Sequence, residues 1–397
     1  MDIYKRIDEI FDELVQIRRD FHMHPELSQY EFRTQRKIRE YLNKWGIENY
    51  TCAETGVVGI IRGKNKGKTV GIRGDIDALP IHEENDVPYR SLTPGVMHAC
   101  GHDAHAAIVL GTAKIIKELA DSEDSINGNV KIFFQPAEET IGGAERMIRE
   151  GCMEEPKVDY VLGLHVQPYL NAGKVELKYG KLNASTDSIN IVLKGKAAHA
   201  AYPDKGIDAI VMAGHVITAL QSIVSRNTSP LNPVAISLGR ISGGVKDNII
   251  ADEVKITGTL RTLDDETRQY TKDRISKIVK NTARAFGGEG LTTFCEGYKA
   301  LINNNEVVDI IKENAIKLLG KENVEFKEFP SLGAEDFSYF MDVAKGAFFH
   351  LGCGNPAKGI TSPIHTEHFD IDEECLKVGV RLQVENVMTL LKRHENM

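Results

Sequence analysis

Apolar residues at Ile3, Ile7, Ile10, Leu14, Ile17 and Phe21 recur at helical spacing, so the chain is expected to open with one amphipathic helix. A second helix is expected from about Glu31 to Trp45, with Gly46 as its stop signal. Short apolar, β-branched segments then alternate with helical patterns. VVGIIRG, TVGIRGD, NVKIFFQ and DYVLGLHV read as strands, and AAIVLGTAKIIKEL and GGAERMIRE as helices. Alternation of this kind predicts an α/β domain with a mostly parallel sheet covered by helices.

The pattern changes at about Asn183. SINIVLKGKA, VAISLGRISGG, DEVKITGTLRT and LTTFCEG read as strands, with helices over GIDAIVMAGHVITALQSIV and ETRQYTKDRISKIVKNTARAF. That order is β-α-β-β-α-β, a ferredoxin-like α+β unit able to close on itself. The expected organisation is therefore 1–182 as the first part of one domain, 183–298 as an inserted domain, and 299–397 as the return. Gly180 and Gly297 lie near the joins and are hinge candidates, with ordinary turn duty as the plainer reading.

Composition narrows the function classes. A length of 397 residues, 42% hydrophobic and 27% charged, is ordinary for a soluble globular chain, and a net charge of −8 leaves no footprint for nucleic acid. The opening MDIYKRIDEIFDELVQIRRDF is interrupted by acids and bases, unlike a signal peptide, and no apolar segment reads as long enough to span a bilayer. Six scattered cysteines without C-x-x-C point to reduced thiols and a cytoplasmic location.

One cysteine has unusual neighbours. MHACGHDAHA places His98, Cys100, His102, Asp103 and His105 within a few residues, just before a helix. Desolvating so many polar atoms makes no sense for packing alone. Strands of the first domain end in similar groups: Asp75 and Asp77 after GIRG, Glu138 and Glu139 after KIFFQPA, and His165 in VLGLHV. In open α/β sheets, chemistry collects beyond the carboxyl ends of the strands. His365, in SPIHTEHF, is a further candidate. Thiolate, imidazole and carboxylate are the donors of zinc and comparable divalent ions. Five or six donors exceed what one tetrahedral ion needs, which suggests two ions about 3.5–4 Å apart. One of Glu138 and Glu139 would then ligate, while the other takes a proton from water. The bland readings are that His22, His24, His82 and His350 are structural or surface residues, that Glu83 and Glu84 are solvated, and that His98 and His105 back the ligands or pack the helix.

The chain resembles the aminoacylase/carboxypeptidase family of metal-dependent hydrolases, and within it the amidohydrolase branch of hippurate hydrolases and N-acyl-amino-acid deacylases. The segments that carry the resemblance run in order along nearly the whole chain. They include RRDFHMHPELSQYEFRT, GIRGDIDALPI, MHACGHDAHAA, FFQPAEE, GLHV, KGKAAHAAYPDKGIDAI, GRISGG, GTLRTLD, SLGAEDFSYF and IHTEHF. The resemblance implies Cys100, His102, Glu139, His165 and His365 as ligands of two divalent metal ions (zinc, manganese, cobalt or nickel). It implies Glu138 as the general base, Asp77 as the acid orienting a ligand, and His199 as a contact to the reacting carbonyl. Asn248 and Arg261 would hold the substrate carboxylate. It also implies that the inserted domain is a lid and a homodimer interface, and that the substrate is a small N-acyl amino acid. Much of the wider family has histidine where this chain has Asp75, which fits the amidohydrolase branch and leaves Asp75 without an assigned role.

Three rivals remain at this level. Cys100 as a nucleophile with His102 as its base leaves QPAEE, His165 and His365 unexplained. A non-catalytic metal- or amino-acid-binding protein leaves Glu138 idle. A carboxypeptidase or dipeptidase would cut the same kind of bond.

Overall fold

The computed structural model of the chain describes residues 2–122 and 126–393. The expected opening helix is in fact two, α1 (Ile3–Glu9) and α2 (Phe11–Met23), because Ile10 departs from helical geometry with ψ near 1°. There follow α3 (Phe32–Lys44), β1 (Glu48–Cys52), β2 (Gly56–Arg62), β3 (Asn65–Asp75), α4 (His102–Asp121), β4 (Asn127–Gln135), α5 (Gly143–Arg149), β5 (Tyr160–Asn171), β6 (Val175–Leu177) and β7 (Gly180–Asn183). The middle of the chain supplies β8 (Ser185–Lys194), α6 (Ala209–Ser222), β9 (Val234–Gly243), β10 (Glu253–Thr262), α7 (Asp265–Ala285) and β11 (Glu289–Glu296). The last part holds β12 (Leu301–Asn303), α8 (Asn305–Leu319), β13 (Val324–Phe326), α9 (Ser338–Val343), β14 (Lys345–Gly354) and α10 (Glu374–Leu391).

Two compact units emerge. The first takes the chain up to Gly180, Ile302–Phe329 and the chain from Asp336 onward; the second takes Lys181–Leu301 and Pro330–Glu335. The sequence boundaries at 182/183 and 298/299 left no place for that short return. It goes with the second unit because Ala184 N–H donates to the Ser331 carbonyl at 3.0 Å.

The first unit is built on an eight-stranded sheet in the order β1-β2-β4-β3-β5-β14-β6-β13. Its centre, β4-β3-β5-β14, is parallel, as the alternating pattern predicts. The last seven residues of β3 and the first six of β2 are all buried, the continuous burial expected of strands covered on both faces. Helices α2, α4, α8 and α10 contribute to one large core with this sheet.

The second unit is a four-stranded antiparallel sheet in the order β11-β8-β10-β9. Here β8 alternates between buried and partly exposed positions, so only one face is covered. Ile189, Ile191, Leu193, Val254, Ile256 and Leu260 on that face pack with Met212, Val216 and Leu220 of α6 and with Ile275 and Val279 of α7. One sequence expectation changes here, and the plainer reading of Gly297 is favoured. The helical stretch Ala209–Asn227 is long and apolar enough to cross a membrane by length and composition, with mean hydropathy 1.3. Its residues Ala209, Met212, Ala213, Val216, Leu220 and Ile223 are nonetheless buried on one side at helical spacing, as in a core helix. Gly297 is no free joint: it bonds to Thr186 O at 2.9 Å, and a Cβ there would lie 2.7 Å from the same residue.

Candidate metal centre

The central strands bring one level of the first unit's sheet to its rim. Asp75 on β3 pairs with Gln135 on β4, and His165 on β5 with His350 on β14. Between them, Arg73 on β3 pairs with Gly163 on β5, which sets Asp75 and His165 level. The loop before α4 is drawn against β5 at Gly101. That residue has φ +87°, and a Cβ there would sit 2.3 Å from Val166 Cγ2. Only glycine allows the approach.

Cys100 and His102, on either side of Gly101, thus meet the strand ends. Cys100 Sγ lies 3.3 Å from His165 Nε2 and 3.2 Å from His365 Nε2. Glu139 Oε1 lies 3.3 Å from His365 Nε2 and 3.7 Å from His102 Nε2. Three overlapping groups result: Cys100/His102/His165, Cys100/Glu139/His365 and His102/Glu138/Glu139, with donor atoms within 4.8 Å of one another in each.

His165 and His102 are turned by their other nitrogens. His165 Nδ1 is 2.7 Å from the Val166 carbonyl, which can only accept, so Nδ1 carries the proton and Nε2 presents its lone pair. His102 Nδ1 is 3.2 Å from Asp77 Oδ1. Asp77 Oδ2 in turn accepts from Ser28 Oγ at 2.7 Å and from Glu139 N–H at 3.0 Å. His105 is different: Nδ1 meets Asp75 Oδ1 at 2.6 Å while Nε2 accepts the Val166 N–H at 2.9 Å, so both nitrogens are committed.

The charges of the site tell the same story. Burial by itself pushes the Asp75 carboxyl up, but Arg73 and the imidazoles of His102 and His105 outweigh it and hold the group well below its ordinary value. Asp77 is held down in the same way, by His102 and Ser28 against its burial. Burial and the neighbour His105 keep His165 well below the usual histidine range, hence neutral. Burial also opposes a charge on His102, yet Asp75 and Asp77 raise it to about 10. Buried carboxylates and imidazoles thus hold one another's charges at the centre. The buried atoms His102 Nε2 and Glu139 Oε1 have no hydrogen-bond partner, although leaving such atoms unmatched costs about 1–3 kcal/mol each. Soft sulfur, imidazole nitrogen and carboxylate oxygen, facing one another, fit divalent cations.

The remaining candidates lie in the second unit. His199 is exposed and pairs through its backbone with Ile249, while Ala200 N–H donates to the Asn248 carbonyl at 3.0 Å, so His199 and Asn248 are neighbours. Arg261 is not with them. It sits near the far end of β10, opposite Thr186 and Ala235. It is eight residues along the strand from Glu253, roughly 26 Å at about 3.3 Å per residue.

Several functional neighbours were not expected. Glu83 is buried rather than solvated, 3.2 Å from His22 Nε2, and accepts the Ser91 N–H at 2.7 Å. His22 in turn meets Asp103 Oδ2 at 2.7 Å, beside Arg18. Arg73, Gln135 and Asp336 form a buried network behind Asp75. The signal for Arg73 was present in the sequence, since an arginine within an apolar strand needs a buried partner.

Comparison with known proteins agrees with this geometry. The sequence model of Peptidase family M20/M25/M40 matches residues 71–389. Thermostable carboxypeptidase 2 of Saccharolobus solfataricus is 40% identical over 378 residues, 94% of each chain. Hippurate hydrolase of Campylobacter jejuni is 39% identical, covering 88% of this chain and 91% of its own. The crystal structure of Bacillus subtilis YXEP, a dinuclear metal binding peptidase from the M20 family, superposes with a TM-score of 0.84 at 31% identity over 97% of this chain and 99% of that one. The chain therefore belongs to peptidase family M20/M25/M40, a family of amide-bond hydrolases.

Proposed function

We propose that the chain hydrolyses N-acyl amino acids, cleaving the amide to a free amino acid and a carboxylic acid, with two divalent cations in the centre. One observation carries this reading: sulfur, nitrogen and oxygen donors from the buried Cys100, His102 and His165, the half-buried Glu139 and the exposed His365 face one another, with Glu138 within 4.8 Å of two of them. When bound, such cations lower the pKa of water from 15.7 to around 7 and polarise a carbonyl oxygen. Zinc suits the thiolate and imidazoles, while the carboxylates also admit manganese, cobalt or nickel.

The chain's own residues do the rest. A Glu138 carboxylate oxygen takes the proton of the attacking water and later gives it to the leaving nitrogen, a step worth about 10²–10⁴ in rate. Asp77 accepts the His102 Nδ1–H, so Nε2 is the nitrogen that would give up its proton to a cation. Asp75 fixes His105, whose ring packs edge-on to His165 at 4.7 Å between centroids. His199 is assigned the developing oxyanion, and Asn248 and Arg261 the substrate carboxylate, for which the arginine fork binds both oxygens. Arg261 is near one end of β10 and Asn248 in the loop that precedes its other end, so a small substrate held by both would draw them from two copies of the chain. A homodimer through the second unit would provide this, and the exposed apolar side chains of Ile210, Val211 and Ile241 support it.

A nucleophilic role for Cys100 is disfavoured, because burial and the neighbouring acids Glu139 and Glu138 push its thiol well above the ordinary range. The kinship with a carboxypeptidase favours a second reading, in which a peptide replaces the acyl donor. The test is turnover of hippurate, N-acetyl amino acids and dipeptides by the parent and by Glu138→Gln. We expect acyl substrates to lead, and the variant to keep its metal and lose turnover by about 10²–10⁴. Dipeptides as the best substrates would favour the second reading, and undiminished turnover in the variant would remove Glu138 as the base.

A further inference from the structure

The segment PELSQYEFRT supplies none of the groups assigned above, yet it touches the scaffold of the centre three times. The Ala78 N–H donates to the Glu26 carbonyl at 2.8 Å, Ser28 Oγ donates to Asp77 at 2.7 Å, and the Ala137 N–H donates to Glu31 Oε1 at 2.9 Å. Glu31 is fully buried, and its second oxygen accepts the Thr55 hydroxyl at 2.6 Å.

Ala137 immediately precedes Glu138 and has φ +55°, a left-handed conformation that disfavours any residue with a Cβ. Gln29 (φ +70°), Ala53 (φ +51°) and Glu54 (φ +69°) are left-handed too, and all four line one small cavity with Thr55 and Gly142. Such strain persists only where the surroundings over-determine it. At Ala137 two bonds do so: Glu31 holds the N–H, and the Gly142 N–H holds the carbonyl at 3.0 Å.

We propose that Glu31 is a positioning residue for the reaction: its buried carboxylate holds Ala137 in the left-handed turn and thereby aims Glu138. This rests on Glu138 being the base. The aim is sensitive, since a misplacement of about 1 Å can cost about 10²-fold in rate. Burial pushes the Glu31 carboxyl above its ordinary value, with the nearby Asp77 adding to it and the Thr55 hydroxyl opposing it, so a neutral amide is an apt replacement. Glutamine keeps an oxygen for Ala137 and offers an N–H to the Thr55 hydroxyl.

The experiment compares kcat, KM, metal content and thermal midpoint for the parent, Glu31→Ala, Glu31→Gln, Thr55→Val and Glu138→Gln. Hydrogen exchange of residues 133–142 is followed in the metal-free chain. Glu31→Ala is expected to lower kcat about 10–100-fold with KM within about twofold and metal retained, and to speed exchange around Ala137. Glu31→Gln should stay within about threefold of the parent on both readouts, and Thr55→Val should fall between. A kcat for Glu31→Ala within twofold of the parent, or loss of its metal, overturns the proposal. So does a Glu31→Gln as impaired as the alanine variant. If Glu31→Ala does not fold, Thr55→Val decides, an unchanged kcat and exchange rate counting against the role. Full turnover in Glu138→Gln sinks the base and this proposal together; a dead Glu138→Gln beside a healthy Glu31→Ala sinks this proposal alone.

Discussion

Each unit buries a cluster of charge, and the two clusters differ in what they leave unmatched. In the second unit, Asp187 on β8 receives Arg268 Nε at 2.8 Å, Arg268 Nη2 at 2.9 Å and Lys272 Nζ at 2.9 Å. Lys272 also reaches Glu296 at 2.8 Å. Both oxygens of Asp187 are used, and the bidentate arginine ties α7 to β8. In the first unit, the histidines are aligned with equal care, yet His102 Nε2 and Glu139 Oε1 face each other at 3.7 Å, buried and without a hydrogen bond. A cluster built to hold a fold saturates its groups, because unmatched ones cost stability. A cluster built to bind keeps some in reserve.

That contrast can be broken in order of expected effect. Removing metal with a chelator should abolish turnover and lower the melting temperature, with both restored by added zinc or manganese. A cation present at 100 times its Kd stabilises the fold by about 2.7 kcal/mol. Turnover that survives chelation would leave the unmatched donors without a purpose. Asp187→Ala should act on the other side of the comparison, costing about 3–5 kcal/mol in denaturant unfolding because two cations lose their buried partner. Elemental analysis should find its metal content unchanged. His199→Ala should lower kcat by about 10²–10³, the loss typical of one oxyanion donor, again with metal intact. Its kinetics therefore separate a reaction role from the bare exposure seen in the fold.

The smallest effect concerns Asp264, which caps α7 by accepting the Thr267 N–H at 2.7 Å and pairs with Lys181 at 2.8 Å. Burial pushes its carboxyl up, but Lys181 and the Thr267 N–H prevail and hold it below the ordinary range. A depressed carboxylate contributes stability that is whole above its unfolded value near 3.9 and fades as pH falls through the folded value. Asp264→Asn keeps a capping oxygen and removes the charge. It should cost about 0.2–1 kcal/mol at pH 7, and the deficit should shrink towards pH 3. A deficit independent of pH would assign the effect to the cap alone.

Much of the first unit is legible in the sequence because its signals are local. Parallel strands read as apolar runs, and a carboxylate or histidine directly after such a run has few bland explanations. What escapes notice depends on distant partners. Glu83 looks solvated beside Glu84 until His22, 61 residues earlier in the chain, is found against it. Glu31 sits in an amphipathic helical pattern, and nothing local marks it as the acceptor for Ala137, 106 residues away. The break at Ile10 is invisible for another reason: the apolar period continues across α1 and α2, and the turn between them changes geometry without changing the pattern.

The levelling of Asp75, Gln135, His165 and His350 across four strands makes strand pairing and chemistry a single constraint. Sliding β5 by one position would turn His165 to the opposite side of the sheet and bring Leu164 or Val166 in its place. With His165 in its proposed role, a misassembled copy would be inert, and turnover would report how the strands have been joined.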